Sequence, residues 1–162
     1  MSNRQTPEWT ATLSEAYGES GLKGEIGELF LCEVLRSWGW NVIHHPSSRE
    51  HQMAGVDVAF RSPEWSRYYT ADVKANLNDR GIFYIETGSW EWLLNPNKKS
   101  DRIWHVNVQT GWMAWYDRKE MQRYVIGQKA QNTGLLKIMP TDKIPFIRRK
   151  RYDSIITNKK EQ

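Results

Sequence analysis

Leu22, Ile26, Phe30, Leu31, Val34, Leu35 and Trp38 recur at intervals of three or four residues. That spacing gathers them on one broad stripe and predicts a helix over 22–38 that buries it. Gly39 supplies the stop. The period then changes. "WNVIHH" (40–45) predicts a strand and "PSSREHQMAG" (46–55) a loop. Residues 56–61 and 67–75 read as two strands around the turn signal "SPEW", and predict an antiparallel hairpin. "GIFYIET" (81–87) predicts a further strand, and "SWEWLLN" (89–95) a short helix that ends before Pro96. "RIWHVNVQ" and "WMAWYD" predict a second hairpin around Thr110-Gly111. Residues 118–131 read as a helix and "LLKIMP" as a last short strand. This order predicts an α/β fold: a single domain with a mixed central β-sheet flanked by helices. Residues 1–20 are polar and weakly periodic, and read as a loosely held arm. The domain proper is expected over 21–142, with a basic C-terminal segment over 143–162.

The hairpin strands break their own pattern. "GVDVAF" and "ADVKAN" carry Asp57, Asp72 and Lys74 inside the most strand-like stretches of the chain. Residues two apart in a strand share a face, so Asp72 and Lys74 project together while Val73 points into apolar packing. Antiparallel pairing brings Asp57 to that face as well, near Thr70 and Asp72. Two carboxylates this close repel each other and favour protonation. A divalent cation removes the penalty, and hard oxygen ligands suit Mg²⁺. Lys74 beside them can orient a water or offset a developing negative charge. A set of exposed salt bridges would use the same residue types.

A third acid is expected from the helix. At about 100° per residue, Glu28 falls roughly 20° from Leu35, at the border of the apolar stripe. Glu25 lies farther into the polar face. Glu28 is the better candidate, and Gly24 and Gly27 would let the helix approach the sheet.

Charge adds a partner. The chain carries +4 in all, yet 143–160 holds seven of the 23 basic residues and one acid, Asp153. A polyanion such as DNA suits that block, and so does a solvated tail. Arg148, Arg149, Lys150 and Arg151 are its densest part. Lys98 and Lys99 in "NPNKKSDR", and Ser47, Ser48 and Arg49 in the loop before Asp57, are further candidates for phosphate contact. The remaining composition mostly excludes. The 162 residues suit one core. No apolar run is long enough to span a membrane, and the N-terminus lacks a signal-peptide core. Cys32, the single cysteine, cannot form an internal disulfide, so a cytoplasmic location is expected. His44, His45, His51 and His105 invite a zinc reading, but no Cys/His spacing matches a structural site, and His44 and His45 read as strand-end and loop residues near phosphate.

The order Gly24-Glu25-Ile26-Gly27-Glu28 in a first helix, then Gly39-Trp40 and a strand, then Val56-Asp57-Val58, then Asp72-Val73-Lys74, resembles the PD-(D/E)XK nuclease superfamily. The resemblance covers about 22–75, and more loosely the strands to 116. It is similar to archaeal-type Holliday junction resolvases in the spacing from Glu28 to Gly39. It is also similar to small phage-type and homing endonucleases of the same superfamily. Val56 stands where the family's name has proline. The resemblance implies a restriction-endonuclease-like αβββαβ core. It makes Asp57 the first motif acid, Asp72 and Lys74 the (D/E)XK pair, Glu28 the helix acid, and the main-chain carbonyl of Val73 a further metal ligand. The expected activity is a Mg²⁺-dependent DNA endonuclease, with Mn²⁺ able to substitute. A homing or restriction-type site-specific enzyme is the leading reading, acting as a homodimer on double-stranded or branched DNA and leaving 5′-phosphates. A Holliday junction resolvase, an RNA-directed nuclease, and a nucleic-acid-binding module that has lost the reaction stay open as alternatives.

Overall fold

The structure, a computed structural model, describes residues 20–44, 55–76, 80–86, 91–127, 135–138, 144 and 146–152. The N-terminal arm, the loop carrying His45, Ser47, Ser48, Arg49 and His51, and the basic residues Lys143, Lys159 and Lys160 lie outside them. The elements run α1 (Ser20–Ser37), β1 (Asn41–His44), β2 (Val58–Arg61), β3 (Tyr69–Asn76), β4 (Phe83–Glu86), α2 (Glu91–Leu94), β5 (Arg102–Asn107), β6 (Trp112–Asp117), α3 (Arg118–Gly127), β7 (Leu135–Ile138) and β8 (Arg148–Arg151). Six strands form one sheet in the order β1-β2-β3-β5-β6-β8. Only β3 and β5 pair in parallel; every other neighbour in this sheet is antiparallel. The expected α/β fold with a mixed sheet between helices is the observed one.

The helix forms where the stripe predicts it. Ile26, Phe30, Leu31, Val34 and Leu35 are all buried to within 1%, each contributing about 1.5–3 kcal/mol as a buried side chain. Gly39 (φ 83°) ends α1. Its N–H donates to Arg36 O at 2.9 Å and the Trp40 N–H to Leu35 O at 3.1 Å, the paired bonds of a Schellman stop. The stripe lies on Val73, Trp104, Val106 and Met113 of the sheet. Gly27 makes the contact close: a Cβ there would sit 2.6 Å from Ala75 Cβ, whereas Gly24 faces open space.

The opposite face of the sheet is covered by a second cluster, in which Phe83, Ile85, Leu93, Met121 and Val125 pack on Ile103, Ala114 and Tyr116. Here the structure departs from a simple strand-by-strand reading. β4 does not join the main sheet; it pairs antiparallel with β7 as a separate two-stranded sheet. A parallel β3–β5 pair needs a long crossover, and 77–101 is that crossover, so β4 rides across the face instead of filling an edge. The second departure is β8. Four consecutive basic residues carry no strand signature, yet they pair with Trp112–Trp115 of β6. Ile147 is buried just before them and the Tyr152 N–H donates to Gly111 O at 2.8 Å just after. Anchors at both ends hold the charged run as an edge strand, and its charge discourages further pairing.

Most tryptophans serve the core. Trp104 and Trp115 stack at 4.3 Å, and Trp38, Trp40 and Trp65 gather around Phe60 and Tyr69. Among the described residues, no helix is long and apolar enough to cross a membrane.

Candidate functional site

The site lies where β2 begins beside the middle of β3. Val58 is paired with Ala71, and Asp57 is the residue just before that pair, close enough to Asp72 for the two carboxyls to interact. The Asp57 N–H donates to Ala71 O at 2.9 Å. Its carboxylate then accepts the Val73 N–H at 2.8 Å. That bond fixes the Asp57 side chain against β3. Val73 itself points into the α1 core, so its two neighbours, Asp72 and Lys74, face the other way.

Asp72 is buried, and two cations attend it. Lys74 Nζ stands 3.4 Å from Oδ1 and Arg118 Nη2 stands 3.9 Å from Oδ2. Lys74 is 42% exposed while Arg118 is 6% exposed. The two therefore differ in kind: one ammonium reaches solvent, and the other cation is part of the scaffold. Arg118 also donates to Leu93 O at 3.0 Å, Ser100 O at 3.0 Å and Ser100 Oγ at 2.8 Å. Burial lowers its proton affinity and the Asp72 charge opposes that effect.

Glu28 reaches the site from α1. Among the two helix acids, Glu25 is exposed and Glu28 half-buried. Glu28 Oε1 lies 2.8 Å from His44 Nε2 on β1. Burial pushes the Glu28 carboxyl up to about 7, helped by the charges of Glu25 and Asp72. Burial also lowers the His44 imidazole. The pair is therefore joined by a hydrogen bond in which burial disfavours the charged form of each partner. Asp57 is raised to about 7 as well, first by burial, then by Asp72 and Glu28, against the opposing Val73 amide. Three carboxyls thus sit within electrostatic reach of one another, and two bind protons near neutrality. That is a site short of positive charge.

Can these residues hold a divalent cation? Among the described residues, no three His, Cys, Asp or Glu side chains close into a cage. Asp57 and Asp72, with the half-exposed Lys74 beside them, do fit Mg²⁺, which keeps several waters and takes one or two carboxylates. The Val73 carbonyl is a further oxygen. In an extended strand the N–H and C=O of one residue point to the same edge, and the Val73 N–H points at Asp57.

The other candidate residues are placed as follows. Lys98 comes to the site: a Cβ built on Gly55 would lie 3.1 Å from Lys98 Cδ and 3.6 Å from Asp72 Oδ2. Lys99 is exposed on the same loop. The four basic residues of β8 split between the two faces of the sheet, as a strand requires. Lys150 stacks over Trp38 at 4.8 Å, and Arg151 Nε donates to Thr110 O at 3.1 Å. They do not form one patch.

Three neighbours of the site were given no role from the sequence. Arg118 had no signal beyond opening a helix after a strand. His44 did have one: Trp40, Val42 and His44 alternate onto one face of β1, and Trp40 and Val42 pack on the α1 core. A third, His105, is wholly buried beside Lys74 in the β3–β5 register, 2.7 Å from the Tyr116 hydroxyl. Burial and the Lys74 charge lower it to about 3, so it stays neutral.

No protein-family model matches the chain, and no curated protein matches it. A solved structure does. The fold is similar to that of a bacterial homing endonuclease, I-Ssp6803I, with a TM-score of 0.50 and 14% identity over 85% of this chain and 91% of that one. At that identity, what the two chains share is the architecture, a mixed sheet between helices.

Proposed function

We propose that this chain is a divalent-metal-dependent DNA endonuclease of the PD-(D/E)XK type, hydrolysing a phosphodiester by attack of water. The observation that carries the reading is the meeting of Asp57 and Asp72 with Lys74 Nζ, 3.4 Å from Asp72, at a solvent-open edge of a nuclease-like fold. The homing endonuclease among similar structures favours a site-specific enzyme over a resolvase. A homodimer follows from one site per small domain, since one site cuts one strand.

Asp57, Asp72 and the Val73 carbonyl are the groups that would hold Mg²⁺. When bound, the ion supplies Lewis-acid polarisation of the phosphate and a more acidic water. The remaining work belongs to side chains. Lys74, half-exposed and compact, offsets negative charge on the phosphorane or fixes the attacking water by hydrogen bonding. Glu28, held by His44, is placed to accept a hydrogen bond or a proton from that water. Arg118 keeps the Asp72 carboxylate oriented.

The test uses supercoiled plasmid, a four-way junction and random linear duplex, each with Mg²⁺, Mn²⁺, Ca²⁺ or chelator. Cleavage with Mg²⁺ or Mn²⁺, absent in Ca²⁺ and in Asp72→Asn, is the expected result. Cutting in chelator, or an Asp72→Asn protein as fast as wild type, sinks the proposal. Exclusive cutting of the junction makes the chain a resolvase, and DNA binding without any cutting makes it a binding module.

A further inference from the structure

A groove of about 710 Å³ opens beside Arg118, whose guanidinium approaches Asp72. One wall is the 95–101 loop, the other the first turns of α3, and Arg67 closes one side. Its rim carries Arg67, Lys98, Lys99, Lys119 and Arg123, with Arg118 beneath. Of its three acids, Asp101 is engaged by the Thr70 N–H at 2.9 Å and by Arg67 at 3.4 Å, Asp117 lies 3.9 Å from Arg102, and Glu120 lies against Asp117. Among the described residues no ion pair ties down Lys99 or Lys119, and both are exposed.

The lysine-bearing loop is held rigidly. Asn95 caps its turn, accepting the Asn97 N–H at 2.8 Å on its side chain and the Lys98 N–H at 3.0 Å on its carbonyl. At the other end Asp101 N–H donates to Thr70 O at 3.1 Å, and Arg118 N–H donates to Asp101 O at 3.0 Å. The Arg118 guanidinium grips the carbonyls of Leu93 and Ser100 while its Nη2 approaches Asp72. The same arginine therefore fixes both a site carboxylate and the basic wall. Lys98 bridges the two regions, since its stem and the Asp72 carboxylate flank Gly55.

Resting on the endonuclease reading, we infer that the phosphodiester backbone of DNA leaves the Asp57–Asp72 site past Lys98 and runs through this groove, neutralised by Lys99, Lys119 and Arg123. A held wall of cations that reaches Asp72 through Arg118 and Lys98 suits a polyanion, and it loses little freedom on binding. The β8 edge, with its charges on two faces and Lys150 lying on Trp38, fits such a track poorly.

The experiment is salt-dependent binding of a fluorescein-labelled random duplex in Ca²⁺, with a melt of every variant. Each phosphate contact contributes about 0.9 to the slope of log K against log salt. Lys99→Gln/Lys119→Gln, with an unchanged melt, should flatten the slope by about 1.8. A wild-type slope retained in that variant overturns the groove, and it does so decisively if Arg148→Gln/Arg149→Gln removes the slope instead. Wild-type protein that fails to bind duplex at all overturns the endonuclease reading, and the groove with it.

Discussion

Asp57→Asn should make the metal-free protein more stable at pH 8, although it deletes a residue at the centre of the site. The side chains are nearly isosteric, and the Asn oxygen can still accept the Val73 N–H that Asp57 accepts at 2.8 Å. What changes is charge. The Asp57 carboxyl is raised from 3.8 to about 7, so ionising it in the folded state costs up to about 4 kcal/mol at 1.36 kcal/mol per pH unit. Because its folded pKa lies above its unfolded one, the native state binds more protons than the unfolded chain between about pH 4 and 7. Stability from this group is therefore greatest at acid pH and declines as pH rises through that window, the reverse of an ordinary salt-bridged carboxylate. At pH 8 wild type bears the whole penalty and the asparagine variant none.

Asp72 shares part of the strain with Asp57, and the Val73 amide bonds a neutral amide less strongly than a carboxylate. About half the cost, roughly 2 kcal/mol, is then the realistic gain, or about 4–8 °C in Tm for a chain of this size. Melts in chelator at pH 4 and pH 8 measure it. The gain should shrink to well under half at pH 4, where folded Asp57 is already protonated. Mg²⁺ should raise the wild-type Tm at pH 8 and raise that of the variant much less, because binding to the native state alone stabilises it. A variant that melts at or below wild type at pH 8, or gains as much at pH 4, would show that the carboxylates are not strained in the way their burial and proximity imply.

Lys74→Ala should lower single-turnover cleavage by about two to three orders of magnitude with DNA affinity in Ca²⁺ little changed, and Lys74→Arg should not restore it; normal cutting once DNA is bound would reduce Lys74 to a phosphate anchor. Arg118→Met should cost about 3–5 kcal/mol, the usual loss when one partner of a buried charge pair is removed, read as a lower urea midpoint; an unchanged midpoint would mean the latch is not structural. Gly27→Ala should cost about 1–3 kcal/mol by overpacking, since its Cβ would meet Ala75 Cβ at 2.6 Å; a neutral effect on the melt would mean that α1 slides without cost.

The fold was legible wherever an element buries one face. The α1 stripe, the two strands around the SPEW turn and the Trp-rich hairpin each pair a clear period with a clear stop. β8 was not legible, because four basic residues have neither an apolar period nor strand propensity. What makes it a strand is distant: the free edge of β6, the burial of Ile147 before it and the Gly111–Tyr152 bond after it. β4 fails for a related reason. Phe83 and Ile85 specify burial, but burial against which surface depends on β5 taking the place beside β3.

The candidate site divides along the same line. Charged residues inside apolar strand patterns are conspicuous because their desolvation must be compensated, and that logic picks out Asp57, Asp72 and Lys74 from the chain alone. It does not reveal the compensation already built in. Arg118 lies 46 positions after Asp72, on an element packed over the far side of the crossover, and its role exists only once that crossover folds back. His44 lies between these cases. The alternation of β1 turns it inward, but only the position of α1 explains what it meets. Glu28 then hydrogen-bonds His44, and the two cations of the site, Lys74 and Arg118, both attend Asp72. A fold that supplies Lys74 and one buried guanidinium for Asp72, yet raises the Asp57 and Glu28 carboxyls to about 7, carries its cost of buried negative charge at Asp57 and Glu28.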